Sequence, residues 1–178
     1  MPAIPSAPTS ARLFLALWPS PEVRAALVAH QSLWQWPPAA ACVAPEKLHV
    51  TLHFLGDQPQ ASIAPLQRAL DTLPRAEPFV LEGWRPTRWH GGLAVLEPVP
   101  QAGLAPLSAL HAALAEVLRQ QGLPVEARPF RPHVTLARRA AGATPPEEVP
   151  LPRWPAQGVA LVLSERGRYQ VLSVHGGA

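Results

Sequence analysis

The chain has 178 residues, 48% of them hydrophobic and 15% charged, with a net charge of +3. That length suits a single domain with a sizeable apolar core, and the composition excludes a disordered chain. No apolar run is long enough to span a bilayer as a helix, and the lone cysteine, Cys42, excludes an internal disulfide or a Cys-rich metal site.

Residues 1–11 are rich in Pro, Ala and Ser and lack the basic start and apolar stretch of a secretory signal. They are expected to form a flexible tail on a cytoplasmic protein, with one domain over residues 12–178. Arg12 to Trp18 is a short apolar run and reads as a strand. Ser20-Pro21-Glu22 supplies a capping hydroxyl, a first-turn proline and an early acid, so a helix should run from there to about Trp34, ahead of Pro37-Pro38. Leu48 to Leu55 is rich in β-formers and should end as a strand at Gly56-Asp57. A helix from about Ser62 to Leu73 follows. Phe79 to Trp84 and Leu93 to Glu97 are expected as strands joined through a turn at Gly91-Gly92.

From Leu104 to Gln121 the apolar residues Leu107, Leu110, Leu114, Val117 and Leu118 recur at helical spacing, and Gly122 sits where a C-terminal cap belongs. Pro132 to Arg138 reads as a strand and residues 141–155 as a Pro-rich loop. Val159 to Ser164 and Tyr169 to Val174 read as a closing hairpin. Strands and helices alternate without a strict βαβ rhythm, which predicts an α+β fold with largely antiparallel sheets flanked by helices. Cys42 is expected as a small buried hydrophobe. Lys47 is the only lysine, so the other basic side chains are all Arg. Arg suits bidentate contact with phosphate, although a skewed genomic base composition would also raise Arg, Ala and Pro together.

The tetrapeptide His-Val-Thr-Leu occurs at residues 49–52 and again at residues 133–136. This composition gives about 0.003 chance copies of it, so two copies are a sharp signal as short motifs go. Each copy follows a helical segment and a loop containing proline, Pro45 in one case and Pro129 and Pro132 in the other. The pattern predicts two pseudo-symmetric lobes facing each other across a central cleft. Strand side chains alternate faces, so His49 and Thr51 share one face and His133 and Thr135 another, with Val50, Leu52, Val134 and Leu136 turned to the core. If the polar faces meet, the product is a site with two imidazoles and two hydroxyls.

Such a site suits displacement at phosphorus. One imidazole takes a proton from water, the other gives one to the departing oxygen, and an ordinary pKa near 6.5 leaves both states accessible near neutrality. Thr hydroxyls can donate to the non-bridging oxygens as charge builds there. No metal or other cofactor is expected. Two readings compete. The motifs can be edge strands with satisfied surface histidines. Zinc is the other, with His53, on the face of His49, as the obvious third ligand.

The segments Arg12-Leu-Phe-Leu-Ala-Leu17, Leu48-His-Val-Thr-Leu-His-Phe-Leu-Gly56, Arg128-Pro-Phe-Arg-Pro-His-Val-Thr-Leu-Ala-Arg138, Leu163-Ser-Glu165 and Arg168-Tyr-Gln-Val-Leu172 resemble the 2′-5′ RNA ligase family. That family is also named the RNA 2′,3′-cyclic phosphodiesterases, within the 2H phosphoesterase superfamily. The resemblance covers residues 12–175 and implies hydrolysis of a 2′,3′-cyclic phosphate on RNA to a 2′-phosphomonoester. It also implies, for some members, the reverse joining of RNA ends without ATP. Carried over, His49 is the proton donor and His133 the proton acceptor, with Thr51 and Thr135 beside them. Arg138 matches the family's phosphate-binding arginine, although strict alternation sets it opposite His133 unless the strand ends or bulges near Ala137. Phe54 resembles a family aromatic near the nucleotide, but by alternation it falls on the core side. Family members often carry Trp where this chain has Val95; Trp34, Trp36, Trp84 and Trp89 are other stacking candidates, with packing their ordinary role. The expected partner is RNA bearing a cyclic phosphate end, met by a monomer away from any membrane. A small cyclic nucleotide or nucleotide-sugar substrate, or a non-catalytic RNA-binding module, are the alternatives.

Overall fold

The computed structural model of the chain describes residues 10–74, 78–99, 104–147 and 153–176. Residues 1–9 of the expected tail and 148–152 of the Pro-rich loop lie outside these, while Ser10 and Ala11 already belong to the first strand. In chain order the elements are β1 (Ser10–Leu17), α1 (Pro21–Ser32), β2 (Ala41–Cys42), β3 (Val50–Pro59), α2 (Ile63–Asp71), β4 (Val80–Leu81) and β5 (Trp84–Trp89). There follow β6 (Leu93–Pro98), α3 (Leu104–Gln120), β7 (Val134–Arg138), β8 (Trp154–Pro155), β9 (Val159–Glu165) and β10 (Arg168–His175). Short 3₁₀ turns at Pro45–Lys47 and Gln60–Ser62 lead into β3 and α2.

Eight strands form one sheet, in the order β10-β9-β1-β3-β7-β6-β5, with β2 beside the far end of β7 and every pair antiparallel. The fold is therefore α+β, as expected. The sheet is continuous across the two motif strands, which meet through the single pair Val50–Val134. Alternate residues of β1 explain its layering. Leu13, Leu15 and Leu17 join the main core with Leu27 of α1, Leu66 and Leu70 of α2, and Leu107, Leu114 and Leu118 of α3. Phe14 and Ala16 turn the other way, into a small cluster with Ala160, Val162 and Tyr169. The helices thus pack on the leucine face.

The helix ends follow their local chemistry. Ser20 Oγ accepts from the Val23 N–H at 3.3 Å to start α1. Gly122, at φ +67°, ends α3, with Leu123 N–H donating to Leu118 O and Gly122 N–H to Arg119 O.

Three expectations change. β3 does not stop at Gly56: that residue, at φ +69°, carries a bulge between the pairs Leu13–Gly56 and Phe14–Phe54, and the strand runs on to Pro59. The strand expected over residues 79–84 is instead two. Short β4 pairs with β8, and the hairpin partner of β6 is β5, which holds Pro86. A proline hides a strand from sequence reading, but β5 is the sheet edge, where a missing N–H costs no ladder bond. Cys42 is exposed rather than buried, on β2 beside Ala137.

Candidate active site

Both motif strands carry the same irregularity one residue after the threonine. On β3, Thr51 pairs with Ala16 and His53 with Leu15, leaving Leu52 as the extra residue. On β7, Thr135 pairs with Val95 and Ala137 with Ala94, leaving Leu136 extra. A bulge sets two successive residues toward one side and inverts the alternation beyond it. His53 and Ala137 consequently follow Leu52 and Leu136 into buried positions, and Phe54 and Arg138 emerge beside Thr51 and Thr135. The Leu136 carbonyl freed at the second bulge accepts from Gln31 Nε2 at 2.8 Å and Val43 N at 2.7 Å.

This corrects two expectations drawn from strict alternation. Phe54 was expected to pack in the core; it is 39% exposed and lines a cavity of about 560 Å³. His53 was expected on the face of His49. It is buried, donates from Nε2 to the His111 carbonyl at 2.9 Å, and stacks on the His111 ring at 4.0 Å. It is not placed to be a third zinc ligand, and among the described residues no three His, Cys, Asp or Glu are grouped to hold a metal ion.

All six residues singled out from the sequence, His49, Thr51, Phe54, His133, Thr135 and Arg138, line this one cavity. The two imidazoles are held alike. His49 Nδ1 lies 2.7 Å from the Lys47 carbonyl and His133 Nδ1 lies 2.8 Å from the Arg131 carbonyl, each two residues back. A carbonyl only accepts, so Nδ1 carries the proton in both rings, and in the neutral ring Nε2 holds the lone pair. His49 Nε2 lies 2.9 Å from Thr51 Oγ1.

The rings differ in what surrounds them. His49 packs among Phe14 (4.9 Å between centroids), Trp18 (5.7 Å) and Tyr169 (5.7 Å). His133 lies against Trp89 at 4.3 Å. Burial pushes the His49 pKa down to about 4, against the Lys47 carbonyl, which favours the charged form; His133 and Arg24 push it down further. Burial also lowers His133, opposed by the Arg131 carbonyl and Glu97 and reinforced by Arg131 and Arg138. Both shifts favour the neutral ring.

Among the described residues no Asp or Glu lines the cavity, whereas Arg12, Lys47 and Arg138 do. None of these three cations pairs with a carboxylate among the described residues; Arg12 lies over the Phe54 ring and Lys47 faces the Tyr169 ring. Uncompensated positive charge, two hydroxyls and two imidazoles fit an anion of phosphate size, with one ring able to accept a proton and the other to donate one.

Sequence reading assigned no face to Phe14, Trp18 and Tyr169, and took Trp89 as a packing residue. Arg12, Phe14 and Ala16 share one parity along β1, which Trp18 continues one residue past its end, and that parity was the available signal.

The family model of the 2′-5′ RNA ligase superfamily matches residues 19–168. An RNA 2′,3′-cyclic phosphodiesterase of Thermus thermophilus is 35% identical over 167 residues, 86% of this chain and 82% of that one. Among solved structures, apo LigT of E. coli superposes with a TM-score of 0.75 at 26% identity, over 93% of this chain and 96% of LigT. LigT complexed with 3′-AMP superposes with a TM-score of 0.72 at 26% identity, over 92% and 96%.

Proposed function

We propose, from the premise that this chain belongs to the 2′-5′ RNA ligase superfamily, that it hydrolyses the 2′,3′-cyclic phosphate at an RNA end to a 2′-phosphomonoester. It does so without a metal or other cofactor, and runs the reverse 2′-5′ joining of RNA ends without ATP. The observation that carries this reading is the shared cavity into which two identically locked imidazoles and their threonines open. The named activity of the Thermus relative and the 3′-AMP bound by LigT support an RNA end as substrate.

In the forward direction water attacks phosphorus and loses a proton to His133 Nε2. The P–O3′ bond breaks on the opposite side, and His49 protonates the departing 3′ oxygen. Glu97 lies near enough to His133 to favour the charge that ring acquires. A low pKa makes His49 a ready donor once the phosphate's negative charge has drawn a proton onto it. Thr51, Thr135 and Arg138 hold the non-bridging oxygens, and Phe54 carries the base. These groups come from one bilobal domain that begins with β1 at Ser10 rather than at residue 12, in one chain that acts as a monomer in the cytoplasm. Among the described residues no helix is long and apolar enough to cross a membrane.

The test is incubation of the purified protein, in EDTA and without ATP, with an oligonucleotide ending in a 2′,3′-cyclic phosphate. The expected product carries its phosphate on the 2′ oxygen. A 3′-phosphate product, no turnover, or turnover lost in EDTA and restored by zinc would overturn the proposal.

A further inference from the structure

The two halves of the site match in backbone but not in what stands behind each imidazole. Behind His49 are the rings of Phe14, Trp18 and Tyr169. On the His133 side is a carboxylate. Glu97, on β6, is only 6% exposed, and its Oε1 lies 2.7 Å from Arg131 Nε, with Arg85 at 3.8 Å from Oε2. Burial works to raise the Glu97 pKa; Arg131, Thr87 and Trp89, all facing the carboxylate, overcome it and hold the group ionised.

Arg131 links that carboxylate to the imidazole in two ways. Its carbonyl receives the His133 Nδ1 proton at 2.8 Å. Its guanidinium lies 4.1 Å from the centre of the Trp89 ring, which also lies against the His133 ring at 4.3 Å. The guanidinium is largely exposed, so without Glu97 a flexible side chain would have little to fix it.

We infer that Glu97 is a positioning residue for His133: through Arg131 it fixes the ring's Nδ1 partner and its stacking surface, and its charge makes the two matching imidazoles unequal. This rests on reading His133 as the proton acceptor. In metal sites, losing a group that hydrogen-bonds a ligating histidine costs about 10–100-fold in affinity or activity, and a carboxylate acting on His133 through Arg131 should fall at the lower end of that range. The charged groups facing His133 are Glu97, Arg131 and Arg138, with His49 across the cavity. Of these only Glu97 is negative.

The experiment replaces Glu97 by Gln, which preserves shape and an acceptor for Arg131 but removes the charge, and by Asp, which keeps the charge. Folding is checked by circular dichroism, and both imidazoles are titrated by NMR in the substrate-free protein. In Glu97→Gln the His133 pKa should fall by about half a unit or more while that of His49 moves less, and kcat should drop about tenfold with KM within twofold. Glu97→Asp should restore most of the His133 pKa. An unchanged His133 pKa, equal movement of both rings, or a rise in KM at constant kcat would overturn the inference. If Glu97→Gln does not fold, Arg131→Gln, which alters a largely exposed side chain, should still lower kcat at constant KM; wild-type kcat in that variant would overturn it equally. The titration needs no substrate, so its outcome is separable from whether RNA ends are turned over.

Discussion

His49 and His133 each sit one residue ahead of their strands, with Nδ1 tied to a carbonyl and the ring lining the cavity. Burial lowers the pKa of both, His49 to about 4. The pH dependence follows. The proposed mechanism needs one ring neutral and one protonated, so kcat/KM, which reports the free enzyme, should trace a bell whose maximum lies below pH 6.5. Bound phosphate adds negative charge beside both rings and raises both pKa values, so the kcat bell should lie at higher pH than the kcat/KM bell. Steady-state kinetics from pH 4 to 9 check this; a flat profile, or a kcat bell displaced toward acid, contradicts it. These two histidines and their threonines were legible because the tetrapeptide repeats. Phe54 and Arg138 could be placed only by analogy, because a bulge in each strand breaks the period-two rule on which the face assignment relied.

The bulges are properties of elements, and α1 helps hold one of them. Gln31, 8% exposed, donates from Nε2 to Leu136 O, the bulge carbonyl, and to Val43 O at 2.9 Å. Replacing it by Leu leaves the Val43 carbonyl without that donor and the Leu136 carbonyl with Val43 N alone. The expected loss is about 1–3 kcal/mol of unfolding free energy, read from urea denaturation, with weaker turnover because Arg138 follows the bulge. Wild-type stability in Gln31→Leu would remove the helix from this role. At this scale α1, α2 and α3 were readable from capping residues and the leucine period, and β1, β3, β7, β9 and β10 from β-forming runs. β5 was not, since Arg85, Pro86 and Arg88 carry no apolar signal and only pairing with β6 makes them a strand. The exposure of Cys42 was equally invisible, because it depends on β2 lying along the far end of β7.

For the whole molecule, the depressed His49 pKa couples the site to global stability. The unfolded ring titrates near 6.5 and the folded one near 4, so below pH 6.5 the unfolded chain binds more protons. The stability associated with the neutral buried ring is present above pH 6.5 and is lost as pH falls to 4, by up to about 3 kcal/mol. Urea midpoints at pH 7 and pH 4 should show this loss in the wild type and a smaller one in His49→Gln; an equal loss in both would assign it to other groups. The α+β class was legible from the mixed order of elements. That one sheet would run through both motif strands was not, because the order β3-β7 joins segments separated by α2, the β5–β6 hairpin and α3, and local pattern says nothing about such pairings. The sheet brings the two imidazoles to one cavity, and their joint action is the central claim. The most direct measurement is the single-turnover rate on an oligonucleotide ending in a 2′,3′-cyclic phosphate for His49→Ala, His133→Ala and the double variant. Groups acting in one step should each cost nearly as much alone as together, at least about 10³-fold, with the fold intact. A single variant retaining most of the wild-type rate, or losses that simply multiply in the double variant, would contradict the account.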